Sequence, residues 1–145
     1  MWDTEQRQRL AYEEQLIKHY MPHLRVYDRS GDTYIAGRTT TSGQHHEYKL
    51  RILLPSDYPY EEPDLLVDHT LWLKDRSQTI NSMGISHNYH VLGSDESDSV
   101  RICHTEDWNA SLTCLKVALK GILWLEAYEA HLRTGQPIAD FLNAD

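Results

Sequence analysis

The stretch YKLRILLPSDYPYEEPDLLV, residues 48 to 67, constrains the fold more tightly than any other part of the chain. Tyr48, Leu50, Ile52 and Leu54 alternate with Lys49 and Arg51, which predicts a half-buried antiparallel strand. Pro55 ends that strand, and Pro59 and Pro63 remove two backbone donors, so the intervening SDYPYEEP is a bend and cannot be the interior of a sheet strand. DLLVDH then resumes as a short strand.

The flanking segments extend this pattern. LRVYDRS and TYIAGRTTT are β-rich pieces separated by Ser30, Gly31 and Asp32, with a further turn at Ser42 and Gly43. Together they predict a four-stranded antiparallel meander. His45 and His46 fall at that last turn and read as solvated. Residues 3 to 21 carry Leu10, Leu16, Ile17, Tyr20 and Met21 near a helical stripe, and Pro22 stops it. From about Thr70 to Val100 periodicity is weak, and a connection this long in a small domain is usually functional or mobile. SLTCLKVALKGILWLEAYEAHLR then predicts a long helix capped at Asn109 or Ser111, with Leu112, Leu115, Leu119, Ile122 and Leu123 near one face. Gly135 and Pro137 end it, and ADFLN adds one short turn.

The chain of 145 residues fits a single α+β domain, residues 1 to 145. Its net charge of −8 opposes a phosphate backbone, which argues against nucleic acid as a partner. No apolar run is long enough for a membrane span, and MWDTEQRQRL has neither the basic nor the apolar region of a secretion signal, so a cytoplasmic protein is expected. Cys103 and Cys114 are then expected as free thiols.

The segment VRICHTEDWNA, residues 100 to 110, places Cys103 after a short β-branched run and before His104, Glu106, Asp107 and Trp108. A buried filler, a metal ligand and a nucleophile are the competing readings, since free cysteine is among the most buried residue types. His87, His90, Cys103 and His104 contain ligand types at short separations, yet no C-x-x-C pair or H-E-x-x-H helix fixes a tetrahedral site, so neither metal nor cofactor is expected. Cys114 reads as core packing, and Trp108 as a rigid backing for the cysteine loop.

Helix, four-stranded meander, proline-rich bend, irregular cysteine segment and long helix, in that order, resemble the ubiquitin-conjugating-enzyme fold over roughly residues 5 to 135. YKLRILLPSDYPYEEPDLLV is similar to the family's strand, YP turn and next strand. HNYHVLG (87–93), RIC (101–103) and DWNA (107–110) are similar to its histidine-and-asparagine element, its cysteine and the tryptophan beyond. In eukaryotic members an HPN triplet stands nearer the cysteine than Asn88 does here. WLEAYEAHLRTGQP and the histidine-tyrosine-glycine spacing look more like the bacterial ubiquitin-conjugating-like proteins of CBASS antiphage islands, where histidines occupy the neighbourhood of the missing asparagine.

That resemblance implies a transferase in antiviral defence. By it, Cys103 is expected to accept a protein C-terminus as a thioester and His87, Asn88 or His90 to stabilise the oxyanion; on chemical grounds a carboxylate would assist the attacking amine, Asp107 first, with Asp95, Glu96 and Asp98 as lesser candidates. The resemblance implies a donor that is a cGAS-like nucleotidyltransferase or a ubiquitin-like protein, with or without an activating enzyme. Along the N-terminal helical stretch the basic Arg7, Arg9 and Lys18 are offset by Asp3, Glu5, Glu13 and Glu14, which disfavours conventional docking of such an enzyme. A catalytically inactive, RWD-like binding domain and a cysteine hydrolase are the rivals. In chemical terms a transferred acyl group needs a thiolate. A protonated His104 or a nearby helix N-terminus would favour that anion, and Glu106 and Asp107 would oppose it.

Overall fold

Asp3 and Gln6 form a reciprocal cap, each side chain accepting the other's backbone N–H, and so start α1 (Thr4–Tyr20) in the computed structural model, which describes residues 1–43, 46–94 and 96–142. Pro22 cannot donate to the next turn, and the helix stops. The chain then makes the meander that its alternation predicts: β1 (Leu24–Tyr27), β2 (Tyr34–Thr40), β3 (Glu47–Leu53) and β4 (Asp64–Val67), each antiparallel to the next.

The sheet does not end there. It has seven strands in the order β1-β2-β3-β4-β7-β6-β5, which corrects the expected four. The additional strands, β5 (Ile85–Ser86), β6 (Val91–Leu92) and β7 (Val100–Ile102), all come from the segment that shows no periodicity in sequence or from its end. Strands of two or three residues cannot display a period of two, so their presence is fixed only by pairing. Register aligns Val26, Ile35, Ile52, Leu65, Ile102 and Val91 as one row across the sheet. In the neighbouring row Gly37 faces Leu24, where a Cβ would lie 2.3 Å from the His23 carbonyl. Only glycine fits that approach.

Thr113, rather than Asn109 or Ser111, caps α2 (Cys114–Thr134) by accepting from the Lys116 N–H. Gly135, at φ +82°, closes its C-terminus with an N–H to the His131 carbonyl. The buried face is Cys114, Val117, Ala118, Gly121, Trp124, Leu125 and Tyr128, laid over β3 and β4. This corrects the expected leucine face, since Leu119 and Leu123 are 48% and 55% exposed. Leucines surround this helix, so hydrophobicity alone cannot select a side. Small residues select it, because Gly121 brings the helix close to Leu50 and Leu65. A final turn, α3 (Ala139–Leu142), folds back on α2.

A buried polar cluster joins α1 to the start of α2. Glu13, which reads in sequence as an offsetting surface charge, is 1% exposed. Its Oε2 accepts the Tyr58 hydroxyl and the Cys114 backbone N–H at 2.9 Å. Arg9 approaches the same oxygen at 3.7 Å and donates to the carbonyls of Ala110 and Leu112. Cys114 is sealed beneath this cluster, with its sulfur 3.2 Å from the Tyr58 hydroxyl, as expected of a core residue. Among the described residues no helix is long and apolar enough to cross a membrane.

Candidate functional site

The proline bend earns its place in the site through its carbonyls. A bend broken by prolines leaves backbone acceptors without strand partners, and buried acceptors require donors. Trp108 Nε1–H donates to the Pro59 carbonyl at 2.8 Å, and His104 Nε2 lies 2.8 Å from the Pro63 carbonyl. A carbonyl only accepts, so His104 carries its proton on Nε2. His104 is buried and stands edge-on to Trp108. The two side chains thus pin the loop that follows β7 from behind, and Cys103 sits at its start.

From the other side the β5–β6 hairpin supports the same loop. His87 to His90 form its turn, with His90 in the left-handed region at φ +52°. The His90 carbonyl accepts the Cys103 N–H at 2.9 Å, continuing the β6–β7 pairing by one step. At the centre of the turn, the Tyr89 carbonyl takes the Trp124 indole N–H at 2.8 Å and the Asn88 carbonyl takes the Ala139 N–H at 2.8 Å. Those two contacts dock the turn on α2 and α3. They leave the histidines at its ends facing a groove.

That groove has a volume of about 650 Å³ and is open to solvent. Cys103, His87, His90 and Asp107 all line it, so the structure gathers four of the residues singled out in sequence. Asn88 is exposed and does not line it. Glu96 and Asp98 also lie elsewhere, Glu96 facing Arg51 at 3.6 Å, and Asp95 and His45 fall outside the described residues. Among the described residues no three His, Cys, Asp or Glu side chains converge as metal ligands.

Sequence reading misses the far wall. Lys116, Lys120 and Leu123 on α2, with Leu142 of α3 and Ile85 of β5, complete the groove. The signal available for it is the spacing of Lys116, Lys120 and Leu123, which share one helical face.

Cys103 is partly exposed, and its thiol lies 3.7 Å from the Thr105 carbonyl. Burial, followed by the carboxylates of Glu62 and Glu106, pushes its pKa up. His104 Nε2 is directed at the Pro63 carbonyl, with Glu62 at 3.3 Å, and its ring is not hydrogen-bonded to the thiol. His90 shifts down, through burial and then the neighbouring His87, both of which disfavour its charged form.

Alkylation supplies the check. Iodoacetamide reacts with the thiolate, so the rate at Cys103 should climb with pH to a midpoint above the ordinary thiol value of about 8.5. Glu106→Gln removes one opposing charge and should move that midpoint downward. A midpoint below the ordinary value would mean that the thiolate is favoured by its surroundings.

Comparison of the chain with protein-family models, with curated proteins and with solved structures finds no match.

Proposed function

We propose that the chain is a ubiquitin-conjugating-like acyl carrier, in which Cys103 takes the C-terminal carbonyl of a partner protein as a thioester and passes it to an amine. The observation that carries this reading is the position of Cys103 in an open groove between a histidine-bearing turn and an exposed face of α2, while Cys114 is sealed. The motifs quoted above resemble those of the family's bacterial form, and in this reading His90, which lines the groove, takes the place of Asn88 as the N–H donor to the oxyanion. Asp107 then orients the incoming amine. The donor is a cGAS-like nucleotidyltransferase or a ubiquitin-like protein, and the setting is antiviral defence in the bacterial cytoplasm.

The surroundings of Cys103 favour a carrier over the rival hydrolase, because cysteine hydrolases depend on an anion paired with an imidazole. Among the described residues no histidine ring is hydrogen-bonded to Cys103.

The test is the fate of a loaded acyl group in the presence of lysine as free amino acid. The carrier reading predicts an amide product, and His90→Ala should slow its formation about 10²-fold, the usual cost of one oxyanion donor. Release of free acid at the same rate with or without lysine would support the hydrolase. No loading at all would leave a binding domain.

A further inference from the structure

We infer that Lys120 is an internal acceptor, and that the acyl group carried on Cys103 moves to the Nζ of Lys120 in the same chain as a stable self-modification. This rests on the carrier reading above and adds the identity of an acceptor. Lys116 and Lys120 are exposed, lie one turn apart on α2, and line the groove that contains Cys103, whereas Lys18, Lys49 and Lys74 lie outside it. Of the two, Lys120 is the one whose charge is felt by His90, the residue whose carbonyl holds the Cys103 N–H. A rigid helix presents this amine, and the thioester forms on the opposite wall. An amine on the wall of the same groove meets the thioester without a second molecular encounter, so it competes with amines in solution.

In the transfer, the free-base Nζ of Lys120 attacks the thioester carbonyl carbon and a tetrahedral oxyanion forms beside His90. The C–S bond then breaks and an amide C–N bond remains. The proton lost from nitrogen ends on the departing Cys103 sulfur, so no redox partner is needed. The net result is one isopeptide-type bond and a regenerated thiol. Because only the unprotonated amine attacks, transfer slows as the pH falls.

The probe is acetyl-glycylglycine as its 2-mercaptoethanesulfonate thioester, which loads thiols by exchange without an activating enzyme. Intact-mass measurement with and without dithiothreitol separates thioester from amide, and peptide mapping locates each. The expected result is a reductant-labile adduct on Cys103 that converts to a reductant-resistant adduct on Lys120. Cys103→Ala should lower labelling of Lys120 at least about tenfold, and Lys120→Arg should let the thioester accumulate. Labelling of Lys120 that is unchanged in Cys103→Ala, or resistant label shared equally with Lys18, Lys49 and Lys74, overturns the inference and leaves the carrier reading intact. Absence of the labile adduct on Cys103 overturns both.

Discussion

Glu13→Ala is expected to lower the unfolding free energy by about 3–5 kcal/mol, the range for breaking a buried ionic and hydrogen-bonded group by removing one partner. The reason is the number of donors that converge on one oxygen. The substitution leaves the Tyr58 hydroxyl and the Cys114 N–H without their acceptor, and it leaves Arg9 without its acidic neighbour. Each unsatisfied buried group costs about 1–3 kcal/mol. Denaturant titration measures the loss directly. The adjacent Glu14 provides the control, because its partner Arg29 is on the surface and such exposed pairs contribute about 0–1 kcal/mol. Equal losses for Glu13→Ala and Glu14→Ala would mean that the cluster between α1 and α2 contributes nothing special.

The second large effect is expected at Trp124. Its ring is 1% exposed and lies flat against Tyr128, with centroids 5.6 Å apart. Replacement by alanine should cost about 3–5 kcal/mol through lost burial and the cavity that remains. Its indole N–H also holds the turn that bears His87 and His90, by way of the Tyr89 carbonyl. Trp124→Phe separates the two contributions. It keeps most of the packing and should cost about 1–2 kcal/mol, yet it frees the turn. Amide exchange at Tyr89 and His90 should then accelerate in Trp124→Phe, and unchanged exchange would show that packing alone positions the turn.

Much of the fold is legible in the sequence because its signals are longer than one period. Seven residues of alternation specify β3, and Pro22, Gly135 and the three bend prolines punctuate the rest. The short strands β5 to β7 carry no such signal. Their place depends on backbone pairing, β7 with β4, β6 with β7 and β5 with β6, which residue types do not encode locally. The face of α2 was equally hidden, since choosing between Leu119 and Gly121 as the inward residue requires knowing how close the sheet comes. Glu13 shows the same limit for charge, because nothing local distinguishes a buried carboxyl from a solvated one. At the site, Cys103, His87, His90 and Asp107 were each visible as residue types at suggestive spacing. The exclusion of Asn88 from the groove follows from two backbone hydrogen bonds at the turn, and Lys116 and Lys120 enter the groove only through tertiary packing.

All of the chemistry proposed for this chain depends on covalent loading of one sulfur. Intact-protein mass spectrometry after brief exposure to the acetyl-glycylglycine thioester tests that most directly. The account predicts a single reductant-labile acyl group, mapped to Cys103 and lost in Cys103→Ala, with Cys114 unlabelled in the folded protein. A folded protein that takes up no label, or takes it up equally at Cys114, would contradict it.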